Sequence, residues 1–173
     1  MPPGQAFIVS PRKPSRCRPE DLAAFEALVL EGHEVDPNGL SRRVGLADTL
    51  LFAYDARTLI GIGALKRPGN GYRKGVFEKA GGKLAASAFP LELGWVYVIP
   101  TSRKSGVGQR IIDAILGAAD DRRLFATSRS DNGTMQRRLE RSGFVREGKP
   151  FLSDMGDHMV VLFVRGPTEQ HDL

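Results

Sequence analysis

Leu91-Glu92-Leu93-Gly94-Trp95-Val96-Tyr97-Val98-Ile99-Pro100 runs directly into Thr101-Ser102-Arg103-Lys104-Ser105-Gly106-Val107-Gly108. The first stretch predicts a strand. Branched and aromatic side chains suit a pleated, half-buried surface, and Pro100, with no N–H for a ladder, closes it. From Val107 the period changes. Val107, Ile111, Ile115 and Ala118 recur at helical spacing, with Ile112 and Leu116 beside them. Arg123 to Thr127 reads as the next strand. Strand, helix and strand in this order predict a mixed α/β fold with a partly parallel sheet.

The turn between strand and helix has its own chemistry. The first N–H groups of a helix have no intrahelical acceptor, and they sit at the positive end of its dipole. Gly106 and Gly108 let a ligand approach the backbone without meeting a Cβ. Arg103 and Lys104 add positive charge. Together these predict a cradle for a pyrophosphate. The turn lacks the G-x-x-x-x-G-K-[ST] of a P-loop. It also lacks the third glycine and the first-strand position of a dinucleotide fingerprint.

Outward from this centre, Gln5 to Ser10 is the first strand candidate. Pro19-Glu20-Asp21 reads as a helix start, with proline at the first position and acids at the dipole's positive end. Leu22, Phe25, Leu28 and Val29 are its apolar face, and Gly32 its stop. A short second helix fits within residues 33–47. Thr49 to Tyr54 and Thr58 to Lys66 read as strands, and residues 67–90 as a Gly- and Lys-rich loop. A helix follows from about Asn132, capped by Ser130 or Asp131 and stopped by Gly143. Phe144 to Leu152 and His158 to Arg165 close the chain as two strands, before a frayed tail from Pro167.

The whole has 173 residues, enough for one domain over residues 1–166. A hydrophobic fraction of 41% and a charged fraction of 26% are those of a soluble globular protein. No apolar run is long enough to cross a membrane, and the N-terminal residues show no signal-peptide core. The single cysteine, Cys17, fits a reducing cytoplasm. The three histidines are far apart and show no zinc spacing, so no metal is expected. The net charge of +5 suits an anionic ligand. It is not arranged as a basic stripe with interleaved aromatics, which disfavours nucleic acid.

Arg103-x-x-Gly106-x-Gly108, preceded by Val98-Ile99-Pro100, resembles the acetyl-CoA signature of the GNAT superfamily of N-acetyltransferases. There the consensus is [Arg/Gln]-x-x-Gly-x-[Gly/Ala], after a strand often ending in Val-x-Pro. Asn132, with Leu139-Glu140-Arg141-Ser142-Gly143-Phe144 after it, resembles the family's later N…A…LYEKLGF segment. The element order is also similar, so the resemblance spans nearly the whole chain. It implies a central mixed sheet of six to seven strands flanked by about four helices, with two parallel strands splayed around the coenzyme. It implies transfer of an acetyl group from acetyl-CoA to a primary amine of a small molecule or peptide. A CoA-binding module without catalysis and an aminoacyl-tRNA acetyltransferase are the alternatives, and a homodimer is an option.

The resemblance also distributes roles. Arg103, Lys104, Ser105, Gly106, Val107, Gly108 and Gln109 would hold the pyrophosphate. The backbone of Val96, Tyr97 and Val98 would pair with pantetheine, and the side-chain amide of Asn132 would touch the coenzyme. Glu92, an acid in an otherwise apolar strand, lies eleven residues before Arg103, where several family members carry a catalytic glutamate. The family's usual acid, a tyrosine, is replaced here by Leu139, leaving Tyr97 or solvent to protonate the leaving thiolate. Glu31, Glu34 and Asp36 would give the acceptor side a negative mouth.

Overall fold

The computed structural model describes residues 6–32, 35–154 and 156–166. In chain order the strands are β1 (Phe7–Arg12), β2 (Thr49–Asp55), β3 (Thr58–Lys66), β4 (Leu91–Val98), β5 (Leu124–Arg129), β6 (Val145–Leu152) and β7 (Met159–Arg165). The helices are α1 (Pro19–Gly32), α2 (Leu40–Gly45), α3 (Asn70–Ala80), α4 (Val107–Ala119) and α5 (Gly133–Arg141). The seven strands form one mixed sheet in the order β1-β2-β3-β4-β5-β7-β6. Two compact units divide the chain: Met1–Arg67 with Leu93–Ala118, and Pro68–Glu92 with Ala119–Leu173.

In the first unit β1, β2 and β3 pair antiparallel. Strand β1 begins two residues later than expected and runs on through Pro11. Proline is tolerated there because β1 lies at the sheet's edge. Helix α1 starts as its acids predict, with Asp21 Oδ2 accepting from the Arg18 N–H at 3.2 Å, one half of a capping box. It buries Phe25 and Val29, α2 buries Leu40 and Val44, and both close over Leu50, Phe52, Ile62 and Trp95. Phe25 meets Phe52 and Trp95 edge-on at 5.5 and 6.0 Å, so these aromatics serve the core. Helix α4 fits because β3 carries Gly61 and Gly63. A Cβ at Gly61 would lie 3.0 Å from Ile111 Cδ1, and one at Gly63 would overlap Ile111 Cγ2.

The second unit corrects the expected loop over residues 67–90. Helix α3 and a 3-10 turn at Ala86–Ala88 occupy it. Val76, Phe77 and Ala80 are buried with Phe89, Phe125, Leu162 and Val164. Phe77 stacks on Phe89 and meets Phe125 edge-on, each at 5.5 Å. The tail from Pro167 lies outside the described residues, as does Gln5.

The end of α3 is held by β6. Glu147 Oε1 accepts from the Lys83 N–H at 2.8 Å. Gly148 has φ +71°, and a Cβ there would overlap the Ala80 carbonyl oxygen and lie 2.7 Å from its carbon. Backbone cannot yield as a side-chain tip can. Gly148→Ala therefore combines overpacking with a left-handed penalty and should cost roughly 2–4 kcal/mol. The expected fall in Tm is about 5–10 °C at this chain length, measured by thermal unfolding.

Candidate active site

In the first unit the turn ahead of α4 is folded back on itself, with φ +65° at Lys104 and +84° at Gly106. Backbone that changes hand in this way brings successive N–H groups together in a concavity. Ser105 Oγ turns back to donate to the Ser102 carbonyl. The first turn of α4 carries no acid. Val107 is buried, while Lys104 and Ser105 are exposed. Gln109 Nε2 donates to Asp113 Oδ1 one turn on, at 2.9 Å. Helix start, glycine and cation thus stand together, an arrangement that suits a bound anion.

Arg103 sits differently from its neighbours. Its Nε donates to the Val98 carbonyl at 3.0 Å, and its guanidinium lies 5.5 Å from the centre of the Tyr97 ring. It therefore lies back along the end of β4. The Val98 carbonyl oxygen keeps a second lone pair beside this bond. Val96 and Tyr97 are half-buried, and the Ile99 N–H donates to the Ile60 carbonyl on β3 at 2.9 Å.

Inside β4, Trp95 has φ +53°. A bulky residue rarely adopts the left-handed region, which costs on the order of 1–3 kcal/mol. Packing holds it there. The indole is buried edge-on against Phe25, and Lys66 Nζ lies 4.4 Å from its ring centre. A left-handed residue within a strand is the conformation of a bulge, which bends the strand and re-aims its side chains.

Tyr97 donates its hydroxyl to Glu31 Oε1 at 3.0 Å. Partial burial, then that carboxylate, raise the phenol's pKa above the usual tyrosine range. Asp36 Oδ1 accepts from the Asn38 N–H at 2.9 Å, and Arg43 donates to the Asp36 carbonyl at 2.6 Å. The expected negative mouth is thus engaged locally at Glu31 and Asp36, with a cation beside the latter. Glu34 lies outside the described residues.

Cys17 Sγ reaches the Lys13 carbonyl at 3.5 Å. Burial pushes its thiol pKa up, against the lowering effect of Arg12, which is unlike an activated nucleophile.

In the second unit, β4 begins beside β5 in parallel, with Leu91 opposite Leu124 and Glu92 opposite Phe125. Glu92 is only 2% exposed. Its Oε2 accepts from the Tyr72 hydroxyl at 2.9 Å. Tyr72 lies on the first turn of α3. The residue as a whole is half exposed, while its hydroxyl bonds the buried carboxylate. A signal for α3 did exist, because Tyr72, Val76, Phe77 and Ala80 recur at helical spacing. Gly69, Gly71, Gly75, Gly81 and Gly82 mask it, since glycine is a poor helix former.

Burial of the hydroxyl, then the Glu92 charge, raise the Tyr72 pKa well above 10.0. Below the ordinary phenol range the protonated form is present whether the chain is folded or not, and its contribution to stability is complete. Above about pH 10 the unfolded chain releases a proton that the folded chain keeps, so stability falls as pH rises. Tyr72→Phe should flatten this alkaline limb in urea midpoints taken from about pH 9 to pH 11. Tyr97 acts in the same direction, so part of the limb should remain.

Asn132 is itself the cap of α5, in place of Ser130 or Asp131. Its Oδ1 accepts from the Met135 N–H at 3.1 Å. Leu139 is fully buried, a core residue. Among the described residues no group of three His, Cys, Asp or Glu is placed to hold a metal, and no helix is long and apolar enough to cross a membrane.

No family model matches the chain, and no curated protein does. Solved structures do. An acyl-CoA N-acyltransferase from Pseudomonas aeruginosa superposes with a TM-score of 0.65 at 17% identity, covering 92% of this chain and 99% of that one. A GNAT family acetyltransferase from Elizabethkingia anophelis, solved with acetyl-CoA bound, gives 0.61 at 12% identity, covering 93% and 98%. The chain has the GNAT fold. NAA60 from Arabidopsis thaliana, in complex with a bisubstrate analogue, is similar at 0.63 and 17% identity, over 91% of this chain and 97% of that one. The mixed sheet of six to seven strands expected from the resemblance is observed with seven. Among the described residues five α-helices stand where about four were expected, α3 being the addition.

Proposed function

We propose that the chain is an acetyl-CoA-dependent N-acetyltransferase that acetylates a primary amine of a small molecule or peptide. The observation that carries this reading is the acid-free, glycine-turned start of α4 in a GNAT fold. The protein bound to acetyl-CoA and the one bound to a bisubstrate analogue share that fold and support it. In this reading Lys104 and the N–H groups around Gly106 hold the pyrophosphate, and Arg103 leaves the end of β4 to join them. The backbone of Val96 to Val98 lines the pantetheine arm, and Asn132 contacts the coenzyme while its Oδ1 keeps the α5 cap.

Glu92 is the base. It takes the proton that the protonated amine must lose before its nitrogen can bond to the acyl carbon; the bonded nitrogen then releases a second proton to water as the carbon–sulfur bond breaks. The sulfur regains a proton from the Tyr97 phenol or from water, which a thiol with a pKa near about 8.5 permits. A backbone N–H at the Trp95 bulge is the donor for the oxyanion. Attack by an amine leaves an amide and free CoA, so no other reactant is needed.

The test is release of free thiol from acetyl-CoA across a panel of amines, amino acids, peptides and hydroxyl compounds. Amines should give thiol and hydroxyl compounds none. Tight acetyl-CoA binding with no release from any acceptor would instead make the chain a CoA-binding module. Release only with aminoacyl-tRNA, with binding that falls steeply in salt, would move the acceptor to nucleic acid.

A further inference from the structure

We infer that Tyr72 is a positioning residue for Glu92, and that helix α3 holds its phenol against the carboxylate. This rests on the reading of Glu92 as the base. The placement is unusual for a tyrosine. Most bury the ring and leave the hydroxyl near water. Here the residue as a whole is half exposed, whereas its hydroxyl reaches the 2%-exposed carboxylate at 2.9 Å. Burial of apolar surface therefore does not explain the side chain's position as well as the hydrogen bond does.

The helix carrying Tyr72 is fixed from several sides within its unit. Arg73 donates to the Pro90 carbonyl at 3.4 Å, two residues before Glu92, and to Asn70 Oδ1 at 2.8 Å. Lys79 pairs with Asp154 at 2.5 Å. Val76, Phe77 and Ala80 are sunk in the second core. Thr127 on β5 also stands close enough to the Tyr72 hydroxyl to lower its pKa, against the larger raising effects of burial and Glu92.

A phenol in this position has one use for the reaction. It stays protonated at any ordinary working pH, so towards Glu92 it acts as a donor. It occupies one lone pair on Oε2 and fixes the carboxylate's rotation. The bond engages Oε2 and leaves Oε1 out of it. Orientation of a base within hydrogen-bond reach is what general-base catalysis requires first. Tyr72 moves no proton itself.

The experiment is a double-mutant cycle with Tyr72→Phe and Glu92→Gln, read as kcat, both KM values and thermal shift with acetyl-CoA. Tyr72→Phe should lower kcat about 10-fold, with both KM values and the shift unchanged, because it leaves binding alone. In the Glu92→Gln background the same change should have no further effect on kcat. An equal loss in both backgrounds, a loss of acetyl-CoA binding, or an unchanged kcat in Tyr72→Phe overturns the positioning role. If Glu92→Gln turns over normally, the base assignment fails first and takes this inference with it. If the wild type acetylates nothing, the proposed function fails and this inference with it.

Discussion

Acetyl-CoA at about 100 times its dissociation constant should stabilise the wild-type chain by about 2.7 kcal/mol, and Gly106→Glu should erase that gain. The argument is local. Gly106 has φ +84°, immediately before the first residue of α4. A glutamate there places a carboxylate among the N–H groups that would hold the pyrophosphate, against both the anion and the helix dipole. Any L side chain at this φ also pays a conformational penalty of about 1–2 kcal/mol, which lowers Tm with or without ligand. Gly106→Ala carries that strain without the charge, so it is the proper reference. The expected order of ligand-induced shifts is wild type, then Gly106→Ala, then Gly106→Glu near zero. Equal shifts in all three would place the coenzyme elsewhere.

What could be read in advance depended on how locally each feature is encoded. The β4 to α4 passage was legible because apolar spacing changes from strand to helix across one polar turn, and every residue that makes it is contiguous. Gly61 and Gly63 were also legible as sites of crowding, since a strand with two glycines needs a close neighbour. Helix α3 was hidden because its apolar face is broken by glycine and lysine, and burial beside Phe89 and Phe125 stabilises it more than propensity does. The Tyr72–Glu92 bond joins residues twenty positions apart, and only the folded unit brings them together. The Trp95 bulge is invisible for another reason. Tryptophan is an ordinary strand residue, and its positive φ is imposed by Phe25 and the strand's path. The cap of α5 was open among neighbours because Ser130, Asp131 and Asn132 are all good capping residues, and only geometry selects Asn132.

Glu92→Gln should lower kcat by roughly 10²-fold or more at neutral pH while leaving acetyl-CoA affinity nearly unchanged. The substitution keeps shape and one acceptor oxygen, so the Tyr72 hydroxyl retains a partner and the fold loses little. What disappears is the capacity to accept a proton. A primary amine with a pKa near about 10 is mostly protonated at neutral pH, and it must lose that proton before its nitrogen can attack. Solvent performs this in bulk as pH rises. The variant's rate should therefore climb towards alkaline pH more steeply than the wild type's. Acetyl-CoA binding should track neither curve, because the cradle at α4 contains no carboxylate in its first turn. Steady-state kinetics from about pH 6 to pH 9, with thiol release as the readout, separate the possibilities. A neutral-pH kcat within about twofold of wild type would remove Glu92 from the reaction. A large loss that alkaline pH does not relieve would mean that Glu92 serves acceptor binding or orientation, and the acceptor KM would then rise with it.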